Sequence, residues 1–284
     1  VDYLQGLESV SDQYDAYIFD IWGTIHDGQR RFPNVIETLR MLKSKNKKIG
    51  LLSNSPSRIA QVTAKLAETY SITPDLYDVA FNSGESSYIA LRDRADDFHV
   101  RLGSRYYYIY AAGHEKNFAD LPYQSVPFND AEFIIITKTL DYNETIQDYE
   151  TLLAEAAERR LPMICCNPDR IVGVGDTLFI CPGTVAAYYE TLGGNVYYHG
   201  KPYTPAYETI QRMMGLPAIS RTLAIGDSFE TDIRGGNRFG CDTLLLTAGI
   251  HQSEIYSDDP MKDVERLAAQ FDASPKYVLD QVRW

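Results

Sequence analysis

The sequence predicts an α/β protein in which helices cover a parallel sheet and a second, smaller α/β unit is inserted. Three observations carry this expectation. Apolar runs of strand length alternate with helical patterns from the N-terminus onward, and several of those strands end in small polar loops. A chain of 284 residues is also about the size at which one core gives way to two. With 44% hydrophobic residues there is ample apolar material for packed cores, which excludes a disordered or collagen-like chain.

Residues 16–21 (AYIFDI) read as a buried strand running into a polar loop that carries Gly23 and Gly28. Pro33 and Asn34 open a helix whose Val35, Ile36, Leu39 and Leu42 recur at helical spacing. Lys43, Lys45, Lys47 and Lys48 gather at its C-terminal end, where cations suit the helix dipole, so this basic run reads as helix punctuation. A second strand, 49–52, runs into Ser53-Asn54-Ser55-Pro56, and another helix follows. Between about 84 and 166 the alternation continues as a separate unit, with strands at 105–111 (RYYYIYA), 132–137 (EFIIIT) and 162–166 and a helix at 145–159. Beyond it come a helix at 185–192, a strand at 196–198 ending in Gly200-Lys201-Pro202, and a helix at 205–214. Strands at 222–225, ending in Gly226-Asp227, and at 243–247 complete the pattern. The expected organisation is a core of residues 1–83 and 167–284 with an insertion of 84–166.

The net charge of −12 sets an average field that repels polyanions, so nucleic acid is not an expected partner. A small phosphate ester is still admissible where a divalent cation or a few donors reverse the field locally. The longest apolar runs are far shorter than the roughly 20 residues that span a bilayer, so no membrane association is expected. The first residues also lack the basic-then-apolar order of a signal peptide. Cys165, Cys166, Cys181 and Cys241 form no C-x-x-C pair, which suggests neither a zinc site nor a disulfide framework, and a reducing cytoplasm is the expected compartment.

In open α/β sheets ligands bind at the carboxyl ends of the strands, and four such ends here carry Asp20, Ser53, Lys201 and Asp227. Taken singly, each has an ordinary reading as a turn, a cap or a solvated loop residue. Together they suit phosphoryl transfer: a carboxylate nucleophile, a hydroxyl to hold phosphoryl oxygens, an ammonium to offset their charge, and a second carboxylate. Asp20 and Asp227 could jointly hold Mg2+, a hard cation that prefers oxygen ligands.

These residues resemble the motifs of the haloacid dehalogenase-like hydrolases. Phe19-Asp20-Ile21-Trp22-Gly23-Thr24 is similar to the first motif and Leu51-Leu52-Ser53-Asn54 to the second. Gly200-Lys201-Pro202 matches the third, and Gly226-Asp227 through Asp232 the fourth. The Gly-Lys-Pro form, the Asn167-Pro168-Asp169 turn and the Pro182-Gly183-Thr184 step look like the NagD-like subclass (IIA, with a C2-type cap) of sugar and nucleotide phosphatases and pyridoxal phosphate phosphatases. The resemblance spans nearly the whole chain. It implies a three-layer, Rossmann-like parallel-sheet core with an inserted α/β cap that closes over the nucleophile and selects the leaving group. Residue by residue it implies Asp20 as nucleophile, Ser53 and Asn54 as phosphate binders, and Lys201 as catalytic and phosphate-binding charge partner. It further implies Asp20, the Trp22 carbonyl and Asp227 as Mg2+ ligands, with Thr24, Ser228 and Asp232 supporting the site. A small phosphorylated metabolite is the expected partner, a sugar phosphate by family analogy, and caps of this subclass often take part in homodimers.

One departure matters. Family phosphatases place a second Asp two residues after the nucleophile, where it protonates the leaving alkoxide and then activates water, and this chain has Trp22 there. A backbone carbonyl suffices as the metal ligand from this position, whereas indole cannot serve as an acid/base. Losing that group typically costs about 10²- to 10⁴-fold in rate. The expectation is slow turnover of alkyl phosphates and better turnover of activated ones. From a different class, a phospho-ligand sensor that keeps Mg2+ but has lost turnover is the rival reading, and a phosphomutase or transferase is a third. His26 and Asp27 read as rim residues that could replace the acid only if their loop folds back. His199 reads as a structural loop residue, and Tyr106 to Tyr108 as part of a cap strand. Gly173-Val174-Gly175 lacks the third glycine of a dinucleotide loop, and the Asn143-Glu144-Thr145 sequon carries no meaning in a cytoplasmic protein.

Overall fold

A computed structural model describes residues 1–141, 143–174, 177–255, 257 and 259–284, so Gly175 lies outside the described residues. The chain divides into two compact units. The first comprises Val1–Ser53, Val62–Phe81 and Lys201–Trp284. Its sheet runs in the order Asp2–Tyr3, Tyr277–Leu279, Asp242–Leu246, Thr222–Gly226, Ala16–Phe19, Lys48–Ser53, Val79–Asn82. The central pairings are parallel, with Phe19 opposite Ile225 on one side and Leu51 on the other. Because successive strand residues face opposite sides, Leu244 and Leu246 join a cluster with Leu39, Leu42 and Phe19, while Leu245 joins Phe229, Ile233, Val264 and Leu267 on the other face. Apolar layers therefore flank the sheet on both sides, as in the predicted three-layer α/β core.

The second unit comprises Asn54–Gln61 and Asn82–Gly200. Its sheet has the order Val196–Tyr198, Met163–Cys165, Phe133–Ile136, Arg105–Ile109, Gln124–Ser125. The central strand Phe133–Ile136 is fully buried, Ile134 and Ile136 facing one cluster and Phe133 and Ile135 the other. Two findings correct the expected boundaries. Residues 167–200 belong to this unit rather than to the core, because Val196 to Tyr198 pair in parallel with Met163 to Cys165. Residues 54–61 also belong here: Asn82 Nδ2 donates to the Ser55 and Ser57 carbonyls, and Arg58 grips Glu85 in a two-pronged ion pair. The hairpin Ile171–Val174 with Thr177–Ile180 was not anticipated, nor were the edge strands Asp2–Tyr3 and Tyr277–Leu279. The expected 145–159 helix is split, a 3₁₀ turn at Ile146–Asp148 with a Thr145/Asp148 capping box preceding the helix Glu150–Glu158.

His199 is more than a loop residue. Ser86 Oγ lies 2.9 Å from His199 Nδ1, His199 Nε2 lies 3.2 Å from His99 Nε2, and His99 Nδ1 lies 2.8 Å from Asp96 Oδ1. With Asp96 accepting from His99 Nδ1–H, the chain is satisfied when His199 Nε2–H donates to His99 and Ser86 donates to His199 Nδ1. Burial pushes His199 down to about 3, and the neighbouring His99 adds to the shift. An unfolded His199 takes up a proton near its ordinary value of 6.5 while the native ring refuses one, so this group removes stability as pH falls through the interval from about 6.5 to 3. Substituting His199→Gln is expected to flatten the pH dependence of the unfolding free energy between about pH 6.5 and 5, by up to about 1.4 kcal/mol per pH unit. Thermal melts of both proteins across that range measure it.

Candidate active site

The core sheet ends where the predicted residues stand. The Asp20 amide donates to the Ile225 carbonyl at 2.9 Å, continuing the strand pairing by one residue. This sets Asp20 at the carboxyl end of Ala16–Phe19, beside the central strand Thr222–Gly226. Ser53 closes the next strand and is buried, and Asp227 follows directly on Thr222–Gly226 on the other side. Parallel strands about 4.8 Å apart thus hold three of the predicted side chains at one edge.

Lys201 joins them. Its Nζ donates to Asp20 Oδ1 at 2.5 Å and to Asp232 Oδ1 at 2.6 Å, and all three side chains are buried. Asp232 Oδ2 accepts the Ser228 amide at 3.1 Å, so Ser228 supports the site through its backbone while its Oγ caps Thr231. Asp232 therefore fixes the ammonium beside Asp20. Carboxylate oxygens of Asp20, Asp227 and Asp232 all lie within 4.8 Å of one another.

Their electrostatics follow from burial. Desolvation raises Asp20 to about 7 against the opposing pull of Lys201, with Asp232 adding to the rise. Desolvation, then the charges of Asp20 and Asp232, hold Asp227 well above the usual carboxylate range. Burial alone would lower Lys201, but Asp20 and Asp232 overcome it and keep the ammonium charged. Ionising all three carboxylates around this one ammonium would leave two negative charges in excess, which is why burial holds Asp20 and Asp227 toward their protonated forms. A hard divalent cation with oxygen ligands fits that donor set and that charge.

Two glycines make room for Asp227. Gly23 has φ +81°, and a Cβ on it would fall 2.0 Å from Asp227 Oδ2. A Cβ on Gly249 would fall 2.2 Å from the Asp227 carboxylate. The adjacent Ile250 amide donates to Asp227 Oδ2 at 2.8 Å, and His251 ties this loop down by accepting from the Phe229 amide at 3.3 Å and pairing with Glu254 at 2.6 Å. Gly249, Ile250 and His251 are missing from the predicted set. Their sequence signal is a small-residue stretch, Thr247-Ala248-Gly249, after a strand at the same sheet edge.

The remaining predicted residues separate into three groups. Thr24 is buried and its Oγ1 lacks a hydrogen-bond partner among the described residues, a state that costs about 1–3 kcal/mol in a closed interior. Asn54 lies in the second unit and donates to Asp169 Oδ1 at 2.8 Å. Trp22 packs edge-on to His26, with ring centroids 5.3 Å apart. His26 is not on the rim: it stacks on Tyr70 at 4.0 Å, and its Nδ1 accepts the Gly28 amide at 3.0 Å. Burial, with Lys65 adding, pushes His26 down to about 4, which keeps the ring neutral. Asp27 accepts the Gln29 and Arg30 amides in a tight turn. Substituting Gly249→Val is expected to drive a side chain into Asp227 and weaken divalent-cation binding about 10- to 100-fold. Titration calorimetry with Mg2+ measures this, alongside circular dichroism to verify the fold.

Comparison with known proteins bears on the family. A family model described as haloacid dehalogenase-like hydrolase matches residues 17–123, and a HAD-hydrolase-like model matches 198–284. The 5'-nucleotidase YutF of Bacillus subtilis is 23% identical over 89% of this chain and 95% of its own. The ribonucleotide monophosphatase NagD of Escherichia coli is 22% identical over 86% and 92% respectively. A solved haloacid dehalogenase-like family hydrolase from Brucella suis is 28% identical and superposes with a TM-score of 0.83 over 98% of this chain and 99% of that one. With the two family models falling on the segments that carry the strand-end motifs, the chain belongs to the haloacid dehalogenase-like hydrolases, in their NagD-like branch.

Proposed function

We propose that the protein is a Mg2+-dependent phosphoric monoester hydrolase acting on a small phosphorylated metabolite through an aspartyl-phosphate on Asp20. The observation that carries this reading is the buried cluster in which Lys201 bridges Asp20 and Asp232 beside Asp227. In the reaction Asp20 Oδ attacks phosphorus, and Lys201 offsets charge on the phosphoryl oxygens without leaving Asp232. Ser53 closes the neighbouring strand and supplies a hydroxyl for those oxygens. A Mg2+ ion held by Asp20, Asp227 and the Trp22 carbonyl would neutralise the excess negative charge and admit an anionic substrate. Residues 54–61 and 82–200 act as the cap that selects the leaving group. A sugar phosphate is the first substrate class to test, and the naming of relatives as nucleotidases makes nucleoside monophosphates the second.

A noncatalytic phospho-ligand sensor is the second reading, favoured by Trp22 standing where an acid/base Asp is usual. Phosphate release from a panel of sugar, nucleoside and aryl phosphates, with and without Mg2+, distinguishes the two. The hydrolase is expected to need both Mg2+ and Asp20, with Asp20→Asn at least about 10³-fold slower. Silence of the wild-type protein on every substrate overturns it.

A further inference from the structure

Within the core, the described acids and bases around Asp20 are already committed. Lys201 is held by two carboxylates, and Asp232 is engaged on both oxygens by Lys201 and the Ser228 amide. Asp227 accepts from the Ile250 amide and belongs to the candidate metal cluster. Two residues after Asp20, where the family resemblance implies an acid/base Asp, stands the Trp22 indole, and it is wedged in place: a Cβ on Gly28 would lie 2.4 Å from the ring. Neither neighbour can substitute, since His26 is stacked on Tyr70 with Nδ1 taken by Gly28, and Asp27 is folded into its own turn.

The missing proton carrier affects the two half-reactions unequally. In the first, Asp20 Oδ forms a bond to phosphorus while the bond from phosphorus to the leaving oxygen breaks, its electron pair leaving with that oxygen. A phenolate or carboxylate leaves without a proton, so an activated donor passes this step with little penalty. In the second, water attacks phosphorus, the bond to Asp20 Oδ breaks, and the water proton goes to solvent, since the described core acids and bases named above are already engaged. That step bears the full loss of about 10²- to 10⁴-fold.

Resting on the proposed hydrolase reading, we infer that Asp20 is phosphorylated by activated donors, such as aryl and acyl phosphates, and that the phosphoryl group then persists, its hydrolysis limiting turnover. The core behaves as a slow phosphoryl holder, and Trp22 sets the lifetime.

Rapid mixing of the wild-type protein with excess p-nitrophenyl phosphate and Mg2+ tests this. The expected result is a burst of about one nitrophenolate per protein followed by a slow steady rate. Intact mass spectrometry should show one added phosphoryl group that hydroxylamine removes and that Asp20→Asn never acquires. Trp22→Asp should lose the burst and gain about 10²- to 10⁴-fold in steady rate, whereas Trp22→Phe should keep the burst. Steady turnover by the wild type with no burst and no added mass overturns the inference while leaving the hydrolase reading intact. Turnover by Trp22→Asp beside a wild type that neither bursts nor labels also overturns it, and favours the sensor. Silence of the wild type and of a folded Trp22→Asp overturns both the inference and the hydrolase reading.

Discussion

The arrangement at the end of the core sheet depends on one ammonium. Lys201 is buried and bonded to two carboxylates from distant segments of the chain, and a third carboxylate has an oxygen within 4.8 Å of theirs. Burying like charges this closely is unfavourable by several kcal/mol per ion unless partners compensate, so the surrounding backbone is built to supply them. The Ser228 and Ile250 amides serve the carboxylates directly, and glycines at 23 and 249 let the chain approach where any side chain would collide. The parallel sheet matters here as the device that delivers separate segments of sequence to one edge.

Against that background Trp22 reads as an integral part of the loop. Its ring, the Gly28 backbone, His26 and Tyr70 form one packed group, and the Tyr70 hydroxyl donates to the Gly28 carbonyl at 2.9 Å. An acidic side chain at position 22 would forfeit that packing. The residue that packs the loop after Asp20 therefore brings no titratable side chain to position 22, so loop packing and the chemistry available there are set by one residue.

Much of this was legible in the sequence. Asp20, Ser53 and Asp227 each follow a run of strand-forming residues, and a residue after a buried strand has only one edge of the sheet to occupy. Lys201 stood just beyond another predicted strand, and Asp232 entered only through the resemblance to the family's fourth motif. What the sequence hid depends on partners distant along the chain. The three-residue strand Val196–Tyr198 carries no mark of which sheet it joins, and pairing with Met163 to Cys165 alone decides it. His26 read as a rim residue because Tyr70, its stacking partner, lies more than forty positions later. Gly249 escaped notice because its role is to be small beside a side chain from another strand.

The composition of the inserted unit bears on modularity. Residues 54–61 fold with it although they lie between two segments of the core, so the chain passes from one unit to the other four times. The insertion is therefore not a cassette bounded by two splice points. Exchanging residues 82–200 alone would leave Arg58 without Glu85 and the Ser55 and Ser57 carbonyls without the Asn82 amide. A working chimera has to carry the octapeptide along, and recombination between relatives is held to the same rule: the two pieces travel together or the unit loses its own internal bonds.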